Sequence, residues 1–377
     1  MFVWLALLIS VLTCAICLIW HKRVHWAELI IPFVTTFSII LISKSCAVDS
    51  LTWDEEWLGG YVERVEYYED WDEWVKRTCS YTTCSGTGKT RSCTTHYYDC
   101  SFRRYHPEHW VAVTSLHDFE ISKQRYDKLC KQFGGKSIFK DMHRGYYTND
   151  GDSYFTMWNW EKETIEPVAE AHHYENRPQA ALNIFKYERP DSIDIKRYRL
   201  FDYPKIVDHK QPTLLGYADK NAQIQLHYFN GVYGAKKQVR IFVLVFESLP
   251  REAGIAQENY WAGGNKNEFV VCVGKYGDEI RWAHTFSWTD EKMLDARVRH
   301  EIESLSQFDA TRIVNIAAAA VLPLWKRKEF SDFNYLTVNP TPNQTFWIFF
   351  WAIISQIGVG LFIVLNPIDK DGIDSYY

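Results

Sequence analysis

The chain has 377 residues, 47% of them hydrophobic and 16% aromatic, with a formal charge of −5. That aromatic content excludes a disordered chain, and the negative balance gives no reason to expect nucleic acid as a partner. Its apolar residues concentrate in three blocks (1–20, 27–43 and 346–365) that share one charged side chain, Glu28. Such blocks exclude a fully soluble protein, and three helices alone cannot enclose a transport pathway.

A bilayer core of about 30 Å takes about 20 apolar residues per helix. Residues 1–20 meet that length, and the cations His21-Lys22-Arg23 follow the run instead of preceding it. This order points to an uncleaved anchor and not to a signal peptide. Residues 27–43 form a second span despite Pro32, which a membrane helix tolerates when neighbours satisfy the freed carbonyl. The short link between the two spans implies a tight helical hairpin. Residues 346–365 form a third span, opening on Phe346, Trp347, Phe349, Phe350 and Trp351, as rings do at lipid headgroups. Each block has an alternative reading as a buried core helix. Lys22 and Arg23 favour a cytoplasmic link, which puts residues 44–345 outside and the acidic tail 366–377 inside; Lys326-Arg327-Lys328 argues the opposite way.

Residues 53–77 carry nine acids, three basic residues and four Trp. Residues 61–68 alternate as a strand does, whereas Trp71, Trp74 and Val75 recur at helical spacing and suggest a short helix. The stretch reads as a solvated face over anchored rings, with cation or carbohydrate binding as the alternative. Cys79, Cys84, Cys93 and Cys100 then follow a C-x4-C-x8-C-x6-C pattern. Zinc sites present closer pairs, and the Ser, Thr and Gly between these cysteines build little core, so two disulfides outside the cytoplasm are the expected staple. A metal site and reduced thiols remain alternatives, and three pairings are open. Cys14 and Cys17 read as small apolar residues of the first span. Cys46, Cys130 and Cys272 leave the large segment with an odd count. His106 and His109 are weak metal candidates, because Pro107 fits only a first helical turn and no third ligand is evident.

Residues 121–134 predict an amphipathic helix with Ile121, Tyr126, Leu129, Cys130 and Phe133 on its apolar face, ended by glycine. Asn149-Asp150-Gly151-Asp152 has oxygen ligands around a glycine, but a hairpin turn explains it more cheaply than an ion site. Asp150 and Asp152 stay weak metal candidates. The tandem His172-His173 would point opposite ways on a strand and chelate poorly.

A second unit begins near residue 238. Residues 239–247 are a continuous apolar run, the mark of a strand covered on both faces. A helix over 251–261, strands over 268–274 and 279–288, and helices over about 289–305 and 310–322 follow, with Thr289-Asp290-Glu291 as the cap of the first of these. No nucleotide-binding, serine-hydrolase or zinc-protease motif occurs, and Gly86–Thr90 imitates a phosphate loop without the preceding buried strand.

This segment resembles a TPM domain, the α/β module of membrane-anchored bacterial and thylakoid-lumen proteins. The resemblance lies in residues 239–249 as a buried strand ending on Ser248-Leu249, the turn Tyr260-Trp261-Ala262-Gly263-Gly264-Asn265-Lys266-Asn267, and the second strand over 269–274. A late Phe330-Ser331-Asp332-Phe333-Asn334-Tyr335 precedes the last span. It implies an anchored module that is either an assembly or repair factor or an acid phosphatase. The acidic pattern that opens the family domain has no counterpart upstream of residue 238.

The expected architecture is therefore α+β: spans at 1–20, 27–43 and 346–365, a Cys-rich aromatic domain over 44–237, a TPM-like α/β domain over 238–336, and an acidic tail over 366–377. The expected function is a membrane-anchored envelope protein of a bacterial inner membrane. It would sit in the lipid bilayer, act by interaction or assembly with an envelope protein partner, and use no cofactor. The alternative is a divalent-cation-dependent phosphate-ester hydrolase with ligands among Asp141, Asp150, Asp152 and Asp278. Lys266 and Arg281, beside strand ends, read either as anion ligands or as plain surface charge.

Overall fold

The structure is a computed structural model that describes residues 2–20, 26–88, 91–142, 151–181 and 187–365. In chain order its elements are helices α1 (Phe2–Trp20) and α2 (Trp26–Thr52), then strands β1 (Trp53–Tyr68), β2 (Trp71–Val75), β3 (Thr78–Ser85), β4 (Ser92–Asp99), β5 (Phe102–His106), β6 (His109–Thr114) and β7 (Phe119–Ile121). Next come helix α3 (Lys123–Gln132), strands β8 (Ile138–Lys140), β9 (Ser153–Met157) and β10 (Pro167–Glu175), helices α4 (Arg177–Ala180) and α5 (Ser192–Arg197), strand β11 (Leu214–Leu215) and helix α6 (Lys220–Tyr228). A π-helical turn, Phe229–Gly234, leads into α7 (Ala235–Lys237), strand β12 (Arg240–Glu247), helix α8 (Glu252–Tyr260), strands β13 (Glu268–Tyr276) and β14 (Glu279–Ser287), and helices α9 (Lys292–Glu303), α10 (Ala310–Leu324) and α11 (Pro342–Leu365). The chain is α+β and divides into two compact units: Met1–Glu55 with His173–Lys186 and Glu329–Tyr377, and Glu56–His172 with Tyr187–Lys328.

In the first unit α1, α2 and α11 pack together. Residues Glu28–Thr52 and Pro342–Leu365 are long and apolar enough to cross a membrane. Helix α2 continues nine residues past the apolar block that defines it in the sequence, because Ala47 packs with Ile40, Ile348 and Ala352, and the Gln344 amide donates to Ser50 at 3.1 Å. Pro32, inside α2, gathers the polar groups of the bundle. Its carbonyl accepts from Ser10 of α1 (3.3 Å) and from Gln356 of α11 (3.2 Å), and Gln356 also reaches Thr35 at 2.8 Å. Hydrogen bonds of this kind between apolar helices contribute about 0.6 kcal/mol each.

The second unit holds two larger sheets. One has the order β7-β6-β1-β9-β8, with β10 also pairing β1; the other has the order β11-β12-β13-β14. In the second of these β11, β12 and β13 are parallel and β14 is antiparallel. Strand alternation divides its residues between two cores. Ile241, Val243, Val245, Phe269, Val271 and Val273 meet Leu294, Val298, Ile313 and Val314 on one face. Phe242, Leu244, Phe246, Val270 and Cys272 meet Ala253, Trp261, Trp282 and Leu200 on the other. A strand covered on both faces must be apolar at every position, which is why β12 reads as an unbroken run. Gly274 lies opposite Trp282, where a Cβ would come within 2.0 Å of the indole.

Several local expectations change. Trp71–Val75 is a strand paired with Phe102–His106, not a helix. Ile121 closes β7, so α3 starts at Lys123 behind the cap Ser122. Helix α9 is capped by Glu291, whose carboxylate accepts from the Met293 N–H; the Thr289 hydroxyl instead accepts from Glu291 N and donates to the Lys326 carbonyl. His172 and His173 lie in β10. Asn149 and Asp150 of the expected hairpin turn, the cationic link 21–25 and the tail 366–377 lie outside the described residues.

Candidate functional site

Residues 71–106 rise from the sheet as two successive two-stranded ribbons, β2 with β5 and then β3 with β4. In β3 and β4 every side chain except Cys79 is exposed. Tyr97 is 75% exposed and Tyr81 54%, and none of these residues belongs to an apolar core cluster. A two-stranded ribbon without a core is marginal in water, and covalent closure supplies what packing cannot. Cys84 and Cys93 are direct cross-strand partners, and their disulfide is nested inside Cys79–Cys100. Loops of this size lose roughly 3 kcal/mol of unfolded-state entropy per bridge. Cross-strand pairs stiffen the ribbon further: Tyr81 stacks on His96 at 5.0 Å and Thr82 meets Thr95 at 3.1 Å.

The stalk absorbs the histidines that the sequence offers for metal binding. His106 lies flat on Trp71 (4.2 Å) and hydrogen bonds Glu73 at 2.9 Å, while His109 stacks on Tyr68 at 4.8 Å. Asp152 accepts from the Met142 backbone N–H at 3.0 Å, Asp278 sits in the hairpin between β13 and β14, and Asp150 is outside the described residues. Among the described residues no three His, Cys, Asp or Glu side chains converge as a metal site would require. Arg281 pairs with the equally exposed Glu279 at 2.6 Å.

Lys266 has a different fate. It lies 3.5 Å from Glu56, a carboxylate only 1% exposed, which also takes Arg327 at 2.7 Å and His172 at 3.0 Å. The Trp261–Asn267 turn thus fastens the start of β13 to β1, with the Asn267 amide donating to the Trp57 carbonyl at 2.9 Å. Asn265 and Tyr203 hydrogen bond the fully buried Glu268, whose carboxyl is pushed up by burial. Sequence reasoning missed this ionic layer, because its members are scattered over more than 200 residues.

Two further groupings carry reactive side chains. His284 hydrogen bonds Glu258 at 2.7 Å and is the cross-strand partner of Cys272, a residue set that resembles a nucleophile, base and orienting acid. Burial pushes the Cys272 thiol far up, so it stays protonated and packs as a core residue. The second is a cleft between α3 and the turn Val207–Lys210, where Glu166 takes Lys210 at 2.7 Å and Arg125 at 3.5 Å. Behind it lies a small cavity of about 10 Å³ that shares Lys210 and is otherwise lined by Gln211, Thr213, His227, Asn230 and Arg240 among others. Burial, and then Lys210 and Arg240, push the His227 imidazole down to about 4.

Comparison with protein-family models, with curated proteins and with solved structures found no match.

Proposed function

We propose that this chain is a membrane-anchored envelope protein that works by contact, and that its contact element is the stapled ribbon of residues 78–99. The observation that carries this reading is a ribbon held by two disulfides in which every side chain of β3 and β4, Cys79 apart, faces solvent. Structure maintained at such cost without a core serves a surface. Tyr and Arg are the residue types enriched at interface cores, and the ribbon with its stalk carries Tyr81, Tyr97, Tyr98 and Tyr105. Its charge also differs from that of the whole chain. The ribbon with its stalk, residues 71–106, holds six cations, Lys76, Arg77, Lys89, Arg91, Arg103 and Arg104, against three acids, Asp72, Glu73 and Asp99, whereas the chain is net −5. The fitting partner is an acidic protein surface of the envelope. On this reading α1, α2 and α11 span a bacterial inner membrane, residues 44–345 stand outside the cytoplasm, where disulfides persist, and residues 238–336 are a TPM-like module.

The test replaces residues 78–99 by a short turn and places a photo-crosslinker at Tyr97 in the intact chain. The expected result is a discrete crosslinked protein from Tyr97, competed by added salt, and lost partner capture by the shortened chain at an unchanged melting temperature. Capture that survives removal of the ribbon contradicts the proposal, as does metal-dependent phosphate-ester turnover that one side-chain change abolishes.

A further inference from the structure

Arg240 opens β12 and is 4% exposed. It lines the small cavity beside Lys210, and its Nε and Nη1 have no hydrogen-bond partner. One more buried donor on the same wall is unpartnered, the Thr213 hydroxyl, 1% exposed; the Gln211 Oε1, 4% exposed, is also unpartnered but is an acceptor and takes no part in holding an anion. Gln211 cannot simply be turned round, because its Nε2 donates to the Pro204 carbonyl at 2.7 Å. Each buried donor or acceptor left unsatisfied is strongly unfavourable, and a charged donor more so. The cavity is also built by unusual backbone. Phe229–Gly234 is a π-helical turn, a form frequent at functional sites, and its Asn230 side chain both donates to and accepts from the Ile241 backbone (3.0 and 2.8 Å). Gly59 lets β1 approach this turn; a Cβ there would lie 2.4 Å from the Asn230 carbonyl and 3.4 Å from Arg240 Nη1.

The geometry points to a binding site for a small monovalent anion, of halide size, held by the Arg240 guanidinium and the Thr213 hydroxyl. Charge supports an anion over water. Neither Nε nor Nη1 of Arg240 meets a carboxylate oxygen, so these two donors are left without a charged acceptor. Glu268, its cross-strand partner, acts on it electrostatically but accepts hydrogen bonds from Tyr203 and Asn265 instead. Size supports a halide over phosphate, since the cavity measures only about 10 Å³, room for about one water-sized particle.

The test uses the full chain in detergent and follows its melting temperature as chloride replaces gluconate at constant ionic strength. A ligand that binds only the folded state stabilises it by mass action, so the melting temperature should climb with the logarithm of chloride or bromide concentration once the site begins to fill. Thr213→Val should fold and weaken the halide response roughly tenfold in concentration, the worth of one hydrogen bond to a charged group; Arg240→Met should abolish it. Crystals grown in bromide should show an anomalous peak beside Arg240. Equal melting temperatures in chloride and gluconate would overturn the inference and leave a buried water as the occupant. A halide response unaltered in Thr213→Val, or a bromide peak only elsewhere, would overturn it equally.

Discussion

Burial keeps the His227 imidazole neutral, and this has a pH signature. Its folded value of about 4 lies below the ordinary 6.5. Between these two values the unfolded chain binds more protons than the folded one, so stability rises with pH through that window and is level above it. Acidification from about pH 6.5 to 4 therefore removes stability. In His227→Gln this contribution is absent, and the fall in melting temperature between about pH 7 and 4.5 should be smaller than in the parent chain. An identical fall in both would show that His227 is accessible to protons in the folded state. Arg240 illustrates what a sequence can signal at this scale. A cation at the head of an otherwise apolar run is visible at once, but its surroundings are not, because Gly59, Gln211, Thr213 and His227 come from separated stretches of chain. The same holds for Glu56, one of nine acids in residues 53–77, and the one that draws Lys266, His172 and Arg327 together.

Among elements, those with a strong local period were legible and those decided by a distant partner were not. The run in β12 and the hairpin at Gly277-Asp278 follow from neighbouring residues. Trp71, Trp74 and Val75 fit one face of a helix as well as a short strand, and only pairing with Phe102–His106 decides. Likewise, the cysteine spacing allows three connectivities, and the ribbon register selects one by setting Cys84 against Cys93. Two predictions belong here. Replacing Cys84 and Cys93 together by Ser should cost the ribbon about 3 kcal/mol, seen as faster proteolysis within residues 78–99, with no change in the unfolding of the rest because no core residue is touched. Loss of cooperative unfolding in the whole chain would contradict that independence. Ile313→Ala in α10, by contrast, empties a fully buried site in the core over β12 and β13. It should lower global stability by about 2–5 kcal/mol in denaturant titration; a loss under 1 kcal/mol would mean that the core closes over the gap.

At the scale of the molecule, the apolar blocks, the α+β character and the presence of two disulfides were readable from residue type and spacing, whereas the two-stranded ribbon that the disulfides close was not. The extension of α2 to Thr52 was not, since its last turns are polar and owe their helicity to contact with α11. The ribbon with its stalk, basic in an acidic chain and closed by two disulfides, carries the proposed contact. The most direct test is labelling of intact cells with a membrane-impermeant maleimide, before and after reduction. Cys79, Cys84, Cys93 and Cys100 should label in intact cells only once a reductant has opened their bridges. Labelling of these four that requires cell lysis and no reductant would place the ribbon in the cytoplasm with free thiols, and would contradict the account.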